Sequence, residues 1–294
     1  MAHMLRARGP GTRPGGFGPS VRGVSTAGDQ HPEAGPDGAR RHEDRLPTAG
    51  SGDQAAPRWG LGDVVGGFLA GFLIGTLGAS AWVAAAHVPE VHGQPRQVLG
   101  SLLVSLAGLW IGLAGAAILA SRMKGSGRLS VDFGLRLRPW PDIPLGLVAG
   151  VGGQFLVTAV YLPAGHLVSH LQQRLSQPGQ QLTSTAHGPW LVLLAAFVVL
   201  GSPVVEELFF RGLLLRSLQR RLGALGRRLG PVCSVVISAV AFGLAHNEAL
   251  QFFGLALFGV VLGVLALRTN RLGPGIVAHA AFNAVAVVSL AQVH

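Results

Sequence analysis

The chain has 294 residues, of which 49% are hydrophobic and only 12% charged, with a mean hydropathy of +0.46 and a net charge of +10. A soluble domain carries about 25% charged residues, so this deficit points to a polytopic membrane protein. The basic residues are arginines apart from Lys124 and have no stacking aromatics among them, which argues against nucleic-acid binding; the single Cys233 excludes an internal disulfide and a cysteine-based metal cluster.

Residues 1–58 are rich in Gly, Pro, Arg, Asp and His, with almost no apolar periodicity. Such a segment cannot bury enough surface to offset its ordering entropy, so a disordered N-terminal tail is expected. No apolar core follows its early arginines, as a signal peptide would require. Residues 59–294 are different. Seven apolar runs follow one another: Leu61–Ala86, Val98–Ala120, Ile143–Leu162 (entered through Pro139, Pro141 and Pro144), Pro189 to about Val205, Val232–Ala245, Phe252–Leu267 and Gly273–Val293. The expected fold is therefore all-α, a transmembrane helix bundle of about seven spans. In the first run Gly67, Gly71 and Gly75 recur every four residues, a spacing that suits close helix packing.

Arginines set the expected orientation. They crowd the 121–142 loop, the 211–228 segment (Arg211 included) and the link at Arg268 and Arg271, while the alternate loops carry only Arg96 and Arg174. That alternation fits a cytoplasmic N-terminus. Residues 232–267 must cross twice with barely the ~20 residues that each span needs, so this hairpin is expected to dip into the membrane.

The fourth run leads into S-P-V-V-E-E-L-F-F-R-G, Ser202 to Gly212. An ionisable residue at mid-membrane costs about 2.5–3.5 kcal/mol on insertion scales, which makes the adjacent Glu206 and Glu207 candidates for function. Residues four apart share a helix face, so Glu207 can pair with Arg211, whereas Glu206 is turned about 100° away. One carboxylate can thus be neutralised while its neighbour faces a cavity. The plain alternative is an ordinary charged helix end in the cytosol. Two later helices carry pairs at the same spacing, Phe242 with His246 and His279 with Asn283. A lone histidine on an apolar face is generally a satisfied core group, but these residues together need partners in hydrocarbon, and the cheapest partners are one another.

Glutamate and histidine act as general bases, and histidine and asparagine can donate to an oxyanion. A water-activating carboxylate opposite such donors could hydrolyse an amide. Glu206, His246 and His279 could alternatively hold zinc with water at the open position. There is no H-E-x-x-H and no serine in a G-x-S-x-G setting. Glu248, two residues beyond His246, is read as a loop charge, and Cys233 as a small core residue.

E-E-L-F-F-R (Glu206, Glu207, Arg211), F-G-L-A-H (Phe242, His246) and H-A-A-F-N (His279, Asn283) resemble, in order and without substitution, the three motifs of the CAAX-protease and bacteriocin-processing (CPBP) family of intramembrane endopeptidases. The resemblance covers about 60–294. It implies Glu206 as the water-activating residue, assisted by His246, with His279 and Asn283 forming the oxyanion site and Glu207 and Arg211 orienting and neutralising. Family members have been described both as metalloproteases and as metal-independent glutamate proteases. Asn283, an uncommon zinc ligand, fits the second better, so no cofactor is expected, with zinc on Glu206, His246 and His279 as the alternative. The implied partners are a peptide or lipidated protein substrate and membrane lipid, in a bacterial plasma membrane. A proton-coupled transporter would use similar residues, but the paired repeats it predicts are not visible. A non-catalytic immunity or scaffold protein of the same fold is the other alternative.

Overall fold

The computed structural model describes residues 57–86, 95–166, 168–185 and 188–291, and every regular element among them is helical. In chain order these are α1 (Leu61–Ala85), α2 (Pro95–Lys124), the single turn α3 (Leu129–Asp132), α4 (Pro139–Ala164), α5 (Leu171–Thr185), the long compound helix α6 (Pro189–Arg221), α7 (Gly226–Ala245), α8 (Phe252–Thr269) and α9 (Gly273–Ala291). Seven of the helices are long and apolar enough to cross a membrane: α1, α2, α4 and α6 to α9. In hydrocarbon a backbone can satisfy its polar groups only within a helix or a closed barrel, and the apolar runs read from the sequence follow that rule. Of the expected disordered tail, only Pro57 and Arg58 fall among the described residues.

Helices α1 and α2 form an antiparallel hairpin whose contact is built of small residues. A Cβ on Gly71 would stand 2.7 Å from the Leu109 carbonyl oxygen, and one on Gly75 2.6 Å from that of Ser105. Gly108 and Gly112 approach from the other side just as closely. The four-residue glycine spacing therefore serves backbone contact.

Helix α6 is the axis of the bundle. Its Leu208, Phe209, Phe210, Leu213, Leu214 and Leu218 pack with Trp59, Leu113, Phe133, Phe242 and Leu272 in the main core. Twice it widens into π-helical turns, at Phe197–Gly201 and Glu207–Leu214, with Pro203 between them. Proline has no N–H and crowds the carbonyl four residues back. Ahead of it the ladder steps to five-residue bonds, Ser202 N–H to Phe197 O, and the second wide turn closes with Leu215 N–H to Phe210 O. Carbonyls in these turns accept from neighbouring helices: Val198 O from the Asn283 amide at 2.8 Å, and Phe210 O from Ser238 Oγ at 3.0 Å.

At one end of the bundle the starts of α4 and α9 are tied together. Asp142, fully buried, accepts from Arg271 Nη2 at 2.5 Å and Nε at 3.3 Å, and from the Arg138 backbone N–H at 2.8 Å. The hydrogen bond to Asp142 holds the Arg271 guanidinium above its ordinary pKa. Alongside, Leu272 N–H bonds to Gly134 O at 2.8 Å and Gly273 N–H to Arg136 O at 3.2 Å. A Cβ on Gly273 would stand 2.6 Å from both Arg136 O and Asp142 Oδ2, so this approach requires glycine. The clasp sets the height at which α9 enters.

Two boundaries and one helix differ from the sequence reading. Helix α6 does not stop near Val205 but continues to Arg221, because Leu215 and Leu218 keep a buried face behind the arginines. Arg211 is accordingly not a loop charge that orients the chain; it is 1% exposed in mid-helix. Helix α7 starts at Gly226, its first turn holding the exposed Arg227 and Arg228, which end the apolar pattern too soon for a sequence reading. The α7–α8 hairpin therefore has helices of 20 and 18 residues, and the shortage of length disappears. Between α4 and α6, α5 is an amphipathic helix that the sequence reading left as loop.

Candidate active site

The two adjacent glutamates face different surroundings, as 100° per residue dictates. Glu206 ends the short α-helical stretch between the two wide turns, and its Oε1 accepts a hydrogen bond from Ser202 Oγ one turn back. Its Oε2 is buried and has no hydrogen-bond partner. Glu207 begins the second wide turn. Its Oε1 accepts from Arg211 Nη1 at 2.7 Å, and both side chains of that pair are fully buried. Arg211 also donates from Nη2 to Gly259 O at 3.2 Å, and its guanidinium lies over the Phe242 ring at 4.4 Å. Glu207 Oε2 abuts Gly275, where a Cβ would stand only 2.8 Å away.

The two imidazoles come from other helices. His246 follows the last residue of α7, and its Nδ1 is 2.8 Å from the Phe242 carbonyl. A carbonyl only accepts, so Nδ1 carries the proton, and in the neutral ring Nε2 is left with its lone pair. That Nε2 is 3.9 Å from Glu206 Oε2. His279, on α9, presents Nδ1 to Glu207 Oε1 at 3.3 Å and Nε2 to Glu206 Oε2 at 3.8 Å. Phe242 packs edge-on against both rings, with centroids 4.7 Å from His246 and 5.5 Å from His279.

Two ring nitrogens thus converge on the one oxygen of Glu206 that lacks a partner. Separations of 3.8 and 3.9 Å are too long for direct hydrogen bonds. The site opens on the His246 side, where that side chain is 30% exposed against 4% for His279.

Glu206, Glu207, Arg211, Phe242, His246 and His279 are therefore gathered in one cluster. Asn283 lies one turn beyond His279, and its amide is engaged with Val198 O. Sequence reasoning missed Ser202, although its position four before Glu206 was a legible signal. It also missed Gly275 and the Gly259 carbonyl, for which no local signal exists.

Glu206, His246 and His279 are the donors a metal would use. Tetrahedral zinc with ligands at 2.0–2.2 Å sets neighbouring ligand atoms about 3.3 Å apart, whereas each imidazole stands about half an ångström further than that from the Glu206 carboxylate oxygen. Among the described residues no three His, Cys, Asp or Glu side chains form a metal-ligating group.

Residues 188–285 match the family described as type II CAAX prenyl endopeptidase Rce1-like. No curated protein and no solved structure matches the chain. The matched segment runs from the start of α6 into α9 and contains every member of the cluster. The family resemblance carried by the three motifs is borne out over this segment.

Proposed function

We propose, from the premise that residues 188–285 form a CAAX-protease-like domain in a membrane protein, that the chain is an intramembrane endopeptidase using a glutamate-activated water. One observation supports it above the others: His246 Nε2 and His279 Nε2 both face the unpartnered Glu206 Oε2. A water held there has a carboxylate to take its proton and imidazoles on either flank. Glu206 accepts that proton as the water oxygen bonds to the substrate carbonyl carbon. The negative charge that develops on the carbonyl oxygen is held by His279 Nε2–H, in the doubly protonated ring, and by the second amide N–H of Asn283. As the C–N bond breaks, the proton passes to the leaving nitrogen, with His246 as the relay. Glu207 and Arg211 keep charge balanced beneath His279, and Phe242 holds both imidazoles edge-on. No step passes through a metal.

The substrate class is a membrane-associated or lipidated peptide reaching the site within the bilayer. The arginine distribution favours a cytoplasmic N-terminus, and we infer a bacterial plasma membrane as the setting. The test is cleavage of a quenched peptide library by the purified full chain in detergent, comparing wild type with Glu206→Ala, each with and without a zinc chelator. Turnover lost in the variant and insensitive to chelator is the expected result. Loss with chelator and recovery with zinc would overturn the metal-free step. A variant as active as wild type would remove Glu206 from the reaction.

A further inference from the structure

The turn that carries His246 is held from outside. It spans residues 246–251, between the end of α7 and the start of α8, and its internal bonds are few: His246 N–H to Gly243 O at 3.3 Å, Asn247 N–H to Leu244 O at 3.1 Å, and Gln251 and Phe252 N–H to Glu248 O. Two other helices reach it. Gln251 Nε2 donates to Leu175 O of α5 at 2.9 Å. Tyr161, on α4, donates its hydroxyl to Leu250 O and accepts the Gly254 N–H at 3.1 Å.

Leu250 O and Gly254 N–H are four residues apart. They are the groups that would bond to each other if α8 began one residue earlier. The Tyr161 hydroxyl stands between them and satisfies both. Side chains inserted into a helical ladder are a recognised cause of local bending. Gly254 makes room for the phenol ring: a Cβ there would stand 2.9 Å from Tyr161 Cε2 and 2.8 Å from Val157 Cγ1.

We infer that Tyr161 is a positioning residue: its hydroxyl stops α8 from extending back toward His246, and so sets the length of the turn that aims His246 Nε2 at Glu206. This rests on the hydrolytic reading for its consequence but not for its geometry. Removing the oxygen leaves two alternatives. Either Leu250 O and Gly254 N–H pair directly, drawing the turn shorter, or both stay unpaired. In each case the His246 ring moves relative to Glu206. A displacement of about 1 Å in a catalytic group can cost up to 10²-fold in rate.

The experiment uses Tyr161→Phe and, as an independent route to the same displacement, Gly254→Ala, in the full chain in lipid nanodiscs. Hydrogen exchange across 246–254 and the rate of His246 modification by diethyl pyrocarbonate are read by mass spectrometry, beside kcat, KM and the pH–rate profile. The expected result is altered exchange and a changed His246 modification rate in both variants, kcat lower by about 10- to 100-fold at similar KM, and a shifted pH profile. Exchange and modification rates equal to wild type in Tyr161→Phe would overturn the wedge. Altered exchange with an unchanged kcat and pH profile would overturn its positioning role. A wild-type protein that cleaves nothing would instead sink the hydrolytic reading, and the exchange and modification arms would still decide the wedge on their own.

Discussion

His279 reaches both members of the glutamate pair: its Nδ1 lies 3.3 Å from Glu207 Oε1 while its Nε2 lies 3.8 Å from Glu206 Oε2. One imidazole therefore joins a carboxylate ion-paired with Arg211 to one hydrogen-bonded by Ser202, and each keeps one oxygen without a hydrogen-bond partner. Adjacent residues of the same type should respond to substitution in opposite ways.

Glu206→Gln should leave the fold intact, because the amide oxygen can still accept from Ser202. Peptide turnover should fall by about 10²- to 10⁴-fold, the usual worth of a positioned general base. A thermal melt within a few degrees of wild type, paired with that loss, is the expected signature.

Glu207→Gln should do the reverse in emphasis. It leaves Arg211 charged and fully buried beside a neutral group, and breaking one side of a buried pair costs about 3–5 kcal/mol. Lower folded yield and a lower melting temperature should accompany any loss of activity. The double change Glu207→Leu with Arg211→Met should recover much of that stability, since it removes both charges, without restoring turnover.

Gly275→Ala adds a single carbon 2.8 Å from Glu207 Oε2. The carboxylate or α9 must shift, at about 1–3 kcal/mol for such overpacking, and His279 moves with it. Activity should drop, and a small-residue change on a lipid-facing stretch of α9, such as Val288→Ala (56% exposed), should leave it unaltered. Equal effects from the two would contradict the geometry.

Asn283→Ala should lower kcat by about 10²- to 10³-fold with little change in KM, as expected for an oxyanion donor. Because Val198 O also loses its partner, the melt should drop modestly. Asn283→Asp supplies no N–H to either acceptor and should not rescue turnover. Steady-state kinetics on one cleaved peptide separate these cases.

The polar cluster was legible because its logic is short-range. Glu207 with Arg211, Phe242 with His246 and His279 with Asn283 are each one helical turn apart, and cost in hydrocarbon explains why such groups must find one another. The helix count followed from apolar run length in the same way. What escaped depends on longer-range or subtler terms. Arg227 and Arg228 broke the apolar pattern without breaking α7, since a helix end can carry charge outside the bilayer. The wide turns of α6 turn on which carbonyl each N–H chooses, a choice that residue types around Pro203 do not determine alone. Gly275 matters only because Glu207 arrives from another helix, and the Tyr161 hydroxyl matters only because α4 passes the α7–α8 turn. Asn283 was read for its spacing from His279, which left its bond to Val198 O unseen.

The π turns of α6 also limit how the chain can be edited. Each lets the helix hold one residue more than a regular ladder would, so the side chains before Phe197 and after Leu214 keep their facings only while those extra residues are present. Deleting Gly201 or Gly212 would relax a wide turn into an ordinary one and swing everything on one side of it by about 100°. Such a one-residue deletion, though it shortens an apolar helix by only about 1.5 Å, would be more damaging than many substitutions, and an alignment gap placed there would mark a protein whose glutamates no longer face its histidines.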